Sequence, residues 1–290
     1  MRIKKVINNN ILCVVDEKGH EMIVTGRGLG FKRKAGELLD ASLVEKTYHM
    51  DDKAAQRRLR ELAGQIEPEL LELTENLVEY IQSQINQPLN ESLLITMADH
   101  ISFALRRKAE GLEFQNPLKG SIVCYYPSEY RLGRRCLEEI RAKTGVNLAE
   151  DEAAFLALHI VNAELNTNMS EMYDITRMIE GVIQVVEYYY GRPFDRDSLD
   201  FSRFVVHLRY FAQRIFQDKT MPDGTDEQDI LFRRLVARNS KVHYKCAQHI
   251  AEYIASAYHK QLSEEELIYL TIHLRRINLG GAPESPDSEL

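Results

Sequence analysis

The sequence contains no tryptophan, only four cysteines, and no apolar run long enough to cross a bilayer. Without Trp and with few aromatics, nothing points to an aromatic cage for a carbohydrate or a nucleotide cap. Cys13, Cys124, Cys136 and Cys246 are scattered and form no Cys-x-x-Cys pair. That excludes a thiol redox motif and favours a reduced, cytoplasmic setting. The opening MRIKKVINNN has no apolar stretch followed by small residues, so neither a secretory signal nor membrane insertion is expected. Several catalytic signatures are also missing. There is no Walker loop, no Gly-x-Gly-x-x-Gly after a strand, no Gly-x-Ser-x-Gly elbow and no His-Glu-x-x-His. These absences leave no enzyme class in view, and no cofactor is implied.

What is present is ordinary in amount and uneven in distribution. The 290 residues are 44% hydrophobic and 28% charged, with a net charge of −7, which suits two or three soluble domains. Residues 1–50 hold nine Lys/Arg against six Asp/Glu, while the remaining 240 hold 28 against 38. A mildly basic head on an acidic body fits a polyanion-binding module joined to a separate control region.

The head reads as β. Short β-rich runs are predicted at residues 3–7, 11–15, 22–25 and 44–50, the first two separated by Asn8-Asn9-Asn10. Asp16-Glu17-Lys18-Gly19 is predicted as a turn with Gly19 left-handed. Gly26-Arg27-Gly28-Leu29-Gly30 interrupts the pattern. Four strands in about 50 residues give little core, so the head is expected to dimerise. From about residue 52 the pattern becomes helical, with residues 51–60 a linker or helix start. Apolar residues recur at helical spacing to Leu279, and residues 283–290 are expected to be a disordered tail.

The helical part repeats. Glu152-x-x-Phe155-Leu156-x-Leu158-His159-Ile160 matches Glu266-x-x-Tyr269-Leu270-x-Ile272-His273-Leu274 at an offset of 114. Leu94-x-x-Met97-Ala98-x-His100-Ile101 matches Phe201-x-x-Phe204-Val205-x-His207-Leu208 at an offset of 107. Two similar domains of roughly 100 residues follow. The change of offset implies an insertion in the second copy, expected near residues 221–226. Each copy thus carries one histidine near its start and one near its end: His100 with His159, and His207 with His273. A lone histidine on an apolar helix face is usually a packed residue. Matched pairs instead suggest a shared task. Zinc binding would want ligands closer in sequence. A neutral imidazole is, however, a competent nucleophile near neutral pH and can accept phosphate. Arg106, Arg107, Arg209 and Arg214 lie within two turns of His100 or His207 and could face that phosphate.

These features together resemble the BglG/SacY/LicT family of bacterial transcriptional antiterminators over the full length. The segment Lys4-Lys5-Val6-Ile7-Asn8-Asn9-Asn10 and the segment Gly26-Arg27-Gly28-Leu29-Gly30-Phe31 look like the family's co-antiterminator RNA-binding domain. The four histidine segments look like its two PTS regulation domains. The resemblance implies a multidomain chain: a small antiparallel β-sheet RNA-binding domain at 1–55, then two all-α helical bundles at 65–170 and 171–282. It implies a homodimer that binds a hairpin in nascent leader mRNA through Lys5, Asn8, Asn10, Gly26, Arg27, Gly28 and Phe31. It also implies phosphorylation of His100 and His159 by a sugar-specific permease, and of His207 and His273 by the general carrier HPr. On residue type alone, Asn8–Asn10 and Gly26–Gly30 read equally as turns, and Phe31 as core. A DNA-binding activator would want a helix-turn-helix ahead of the repeats, which is absent. A metal-dependent hydrolase would show stoichiometric metal.

Overall fold

The computed structural model describes residues 1–7, 9–16, 19–49 and 66–277. Asn8, the expected linker and the expected tail therefore lie outside the described residues. The chain divides into two compact units. One comprises residues 1–117 and 128–166, the other residues 118–127 and 167–290.

The first unit opens with an antiparallel meander of four strands: β1 (Arg2–Val6), β2 (Ile11–Val15), β3 (Glu21–Thr25) and β4 (Lys46–His49), in the order β1-β2-β3-β4. Gly19 stands in the β2–β3 turn at φ +87°, as its position in the sequence predicts. The register pairs Leu12 with Val24 and Val14 with Met22 on one face, and Cys13 with Ile23 on the other. Both faces are apolar, so each needs cover. The segment after β3 covers the first face: Leu29 and Leu39 close over Ile3, Leu12, Val14 and Val24. The second face does not wait for a second chain. Ile11 and Ile23 pack against Ile66, Leu71, Leu94, Ile95 and Ala98 from the helices that follow.

Those helices are α1 (Pro68–Gln84), α2 (Leu93–Ala109), α4 (Pro127–Thr144) and α5 (Asp151–Leu165). Pro68 opens α1 at a first-turn position, where its missing N–H costs nothing. The apolar residues recurring at helical spacing form one core, including Leu77, Ile81, Met97, Ile101, Ile140 and Leu156. The periodicity read from residues 70–81 and 93–105 is the inward stripe of α1 and α2.

The second unit contains α3 (Lys119–Tyr125), α6 (Met169–Tyr190), α7 (Leu199–Phe216), α8 (Glu227–Asn239), α9 (Lys241–Tyr258) and α10 (Glu264–Arg276). Asn168, Ser198, Asp226 and Ser263 cap α6, α7, α8 and α10 by accepting the N–H three residues on. The short α3 precedes α4 in sequence, yet it belongs to this unit. Ser121 donates to Glu180, the Tyr126 hydroxyl meets Thr176 at 3.2 Å, and Arg209 lies over the Tyr126 ring.

Corresponding helices locate the extra residues of the second copy. The first residues of α3 and α8, at 119 and 227, differ by 108, while those of α4 and α9, at 127 and 241, differ by 114. Six of the seven added residues therefore lengthen α8 (13 residues against 7 in α3). The turn residues at 221–226, where the sequence suggests the insertion, hold only the remainder. A helix absorbs the insertion here because α8 keeps good helix formers in place of turn residues.

Candidate functional site

The head presents a glycine-rich loop from Gly26 to Phe31, held by the end of the β1–β2 turn. The Gly26 N–H donates to the Asn10 carbonyl at 3.0 Å, and Gly30 donates to the Asn9 carbonyl at 2.7 Å. The Gly28 N–H donates to the Asn10 side-chain oxygen at 2.8 Å. Two glycines have steric reasons to be there. A Cβ on Gly26 would stand 2.6 Å from the Leu43 carbonyl oxygen, and Gly28 has φ +68°. Arg27 is tied by its N–H to Glu45 at 3.2 Å, which leaves its side chain exposed.

The loop thereby projects Phe31 outward, 60% exposed, with the Lys32 ammonium 5.3 Å from the ring centroid. An exposed Phe is not a core residue, so the structure rejects that alternative. Lys5 is exposed on β1. The residues predicted to read RNA thus separate by task. Lys5, Arg27 and Phe31 face solvent, whereas Asn10, Gly26 and Gly28 build the loop that presents them. An exposed ring with a cation beside it is suited to stacking on an unpaired base while contacting phosphate.

The histidine pairs come together as the repeats predict. In the first unit His100 on α2 and His159 on α5 have ring centroids 5.1 Å apart. His100 Nε2 lies 2.8 Å from Glu152 Oε2, and Arg107 donates to Glu152 Oε1 at 2.9 Å. Arg107 and Glu152 are both buried. Arg107 is further enclosed by the rings of Phe103 and Phe114, at 4.7 and 4.4 Å. His159 is buried, and its Nδ1 finds no partner among the described residues. Burial, assisted by the neighbouring His100, pushes its pKa down to about 3, so its ring is neutral at pH 7.

In the second unit His207 on α7 stacks on His273 of α10, with centroids 3.5 Å apart. Burial, with the charge of Arg276 helping, lowers the His207 pKa. Burial, with His207 and then Arg276 and Arg214, brings His273 to about 4. Here the carboxylate, Glu266, is fully buried and is grasped by Arg214 at 3.0 and 2.8 Å. Glu266 also accepts from the Met221 N–H at 3.1 Å. Among the described residues it makes no hydrogen bond to the histidine. Tyr269 does so instead: its hydroxyl lies 3.2 Å from both His207 Nδ1 and the His207 carbonyl oxygen.

Of the four arginines singled out by sequence, two are already committed to carboxylates at corresponding positions, Arg107 to Glu152 and Arg214 to Glu266. Arg209 lies over Tyr126, and Arg106 is exposed. The carboxylates and Tyr269 were not expected as functional. Their signal was present nonetheless, because Glu152 and Glu266 open the repeated motif and Arg107 and Arg214 share the offset of His100 and His207. Among the described residues, no group of three or more His, Cys, Asp or Glu side chains is placed to hold a metal ion.

Comparison with known proteins agrees with this division of tasks. Residues 1–57 match the CAT RNA binding domain, and residues 75–163 and 180–277 each match the PRD domain. The chain belongs to the CAT–PRD family of transcription antiterminators. It is 39% identical to the transcription antiterminator LicT of Bacillus subtilis over 277 residues, covering 96% of this chain and 99% of that protein. It is 34% identical to the beta-glucoside operon antiterminator of Dickeya chrysanthemi, covering 96% of each. The crystal structure of GlcT CAT-PRDI aligns with a TM-score of 0.49 at 31% identity, over 56% of this chain and 96% of that one. The basic sheet head is thus the RNA-binding part of a CAT–PRD antiterminator, and the two helical repeats are its PRD regulatory domains. Among the described residues, no helix is long and apolar enough to cross a membrane.

Proposed function

We propose that this antiterminator acts in the cytoplasm as a homodimer. It binds a hairpin in nascent leader mRNA, holds that hairpin against an overlapping terminator, and so lets polymerase continue into sugar-utilisation genes. The observation that carries the reading is the exposed Phe31 on a loop locked by Asn10, with the Lys32 ammonium against its ring. An outward aromatic ring beside an ammonium group has no packing purpose in so small a sheet. Lys5 supplies a backbone contact from β1, and Asn8 completes the interface by family resemblance. Self-association is supported by α8, which buries no residue and exposes Leu231, Phe232 and Leu235.

The control input is phosphate on histidine. A sugar-specific permease modifies His100 and His159, with residues 65–170 as the first regulatory domain. HPr modifies His207 and His273, with residues 171–282 as the second. Support comes from the lowered pKa values of His159, His207 and His273, which keep those rings neutral and nucleophilic. Each phosphate adds a charge of roughly −1.5 to −2 near an Arg–Glu pair whose carboxylate is buried, enough to rearrange the helices that carry it. The protein accepts phosphate without turning over a substrate, and it is not an enzyme.

A gel shift with a leader hairpin tests the head. Arg27→Ala and Phe31→Ala should each weaken binding roughly tenfold or more, by the loss of one phosphate contact or one stacked base. Unchanged affinity in both variants would remove the loop from the interface. For the second domain, labelled phosphate from phospho-HPr should disappear from a His207→Ala/His273→Ala variant.

A further inference from the structure

We infer that the two regulatory domains accept phosphate on opposite ring nitrogens, His100 on Nδ1 and His207 on Nε2, because different neighbours fix their tautomers. This deepens the phosphoacceptor reading above and rests on it.

The first domain fixes its tautomer with Glu152. That carboxylate receives Arg107 on Oε1, and Oε2 lies 2.8 Å from His100 Nε2. A carboxylate can only accept, so Nε2 carries the proton and Nδ1 holds the lone pair. At the matching place in the second domain, Glu266 is occupied by Arg214 and the Met221 N–H, and it leaves the ring alone. Position 155 in the first motif is Phe; its counterpart is Tyr269. The Tyr269 hydroxyl has one proton, and the His207 carbonyl at 3.2 Å can only accept it. The contact from His207 Nδ1 at 3.2 Å must then be donated by the ring. Nδ1 carries the proton and Nε2 is the nucleophile. One hydroxyl group, present in one repeat and absent from the other, moves the proton across the ring.

At His100 the Nδ1 lone pair attacks phosphorus. The N–P bond forms as the donor's bond to phosphorus breaks, and that electron pair leaves with the donor atom, which takes up a proton from solvent. Nε2 keeps its proton, so the ring becomes a phosphoimidazolium whose positive charge faces Glu152. Glu152 is a positioning residue in this step: it holds the tautomer and stabilises the cation that forms. At His207 the same transfer proceeds from Nε2, and the Tyr269 oxygen receives the Nδ1–H.

The test uses the full chain labelled with ¹⁵N-histidine and phosphorylated with phosphoramidate, a small donor that releases ammonia and needs no docking surface. Phosphorus–nitrogen correlation spectra distinguish the two phosphohistidine isomers. The wild type should give both. Difference spectra against His100→Ala should show that ring carrying the Nδ1 isomer, and difference spectra against His207→Ala should show that ring carrying the Nε2 isomer. Tyr269→Phe should release the His207 tautomer and yield a mixture there. Glu152→Gln has a single acceptor oxygen, which the obligate donor Arg107 claims, so its NH2 faces His100 Nε2, the ring proton moves to Nδ1 and the His100 product should shift to the Nε2 isomer. Phosphate on Nε2 of His100 in the wild type, or an unmixed Nε2 product in Tyr269→Phe, overturns the tautomer assignment and leaves the regulatory reading standing. No labelling of His100 or of His207 by phosphoramidate overturns the inference, and no labelling of any of the four paired histidines, with phosphoramidate or with phospho-HPr, overturns the regulatory reading as well.

Discussion

Acidification should loosen the first unit through His159. The ring is buried, and burial, with the neighbouring His100, brings its pKa from an ordinary 6.5 down to about 3. Below pH 6.5 the unfolded chain takes up a proton that the folded chain refuses. Protons therefore favour unfolding, and stability is lost as pH falls from 6.5 toward 3. At pH 5 the unfolded ring is almost wholly protonated and the folded ring almost wholly neutral. The linkage cost relative to pH 7 is then about 2 kcal/mol. This figure depends on the ordinary pKa and hardly at all on the folded value, provided the latter lies below about 4. With an m-value of about 2 kcal/mol/M, the urea midpoint should fall by about 1 M. The chain lacks Trp, so the readout is pulsed hydrogen exchange along a urea gradient, taken from α5 peptides to keep the second unit's histidines out of the signal. His159→Leu should remove most of the pH dependence. If the variant loses as much stability as the wild type between pH 7 and 5, the buried imidazole is not the cause and the reasoning fails.

Three further outcomes follow from the packing. Glu152→Ala leaves the buried guanidinium of Arg107 without its carboxylate and should cost about 3–5 kcal/mol, read as a urea midpoint. The Arg107→Met/Glu152→Leu double variant, which buries no charge, should cost markedly less. Ile23→Ala opens a cavity where the sheet meets α2 and should lower stability by about 2–4 kcal/mol by the same measurement. Gly26→Ala drives a methyl to within 2.6 Å of the Leu43 carbonyl, so RNA binding by gel shift should be lost while the helical circular dichroism is retained.

The readable parts of this sequence were those in which one dimension determines three. Helical spacing gave the inward stripes of α1 and α2, and equal offsets brought His100 to His159 and His207 to His273. The β-runs and the left-handed Gly19 were likewise local. Other features depended on distant contacts. The Phe31 side chain could have faced either way, because the hydrogen bonds that set the loop and turn it outward, such as that from Gly28 to Asn10 across 18 residues, join distant segments. The second sheet face pointed equally to a second chain, until Ile66, Leu71, Leu94, Ile95 and Ala98 were seen to cover it. The membership of α3 in the second unit carries no local signature, because it rests on Tyr126 meeting Thr176 and Arg209.

The difference between Phe155 and Tyr269 shows why matching a repeat does not by itself explain it. Both residues are aromatic, both occupy the fourth place of the same motif, and a pattern search counts them as agreement. What separates them is one oxygen, and its consequence depends on which group the nearby carboxylate already serves. Glu152 has an oxygen to spare for His100, because Arg107 takes only the other one. Glu266 has none to spare, because Arg214 grips both oxygens and the Met221 N–H adds a third donor. The hydroxyl of Tyr269 therefore replaces the missing carboxylate contact, and it does so from the opposite side of the ring. On this inference the two domains keep a matched histidine pair and a matched Arg–Glu couple with a buried carboxylate while presenting different nitrogens. A duplicated domain can in this way acquire a second donor without giving up the core that holds its histidines.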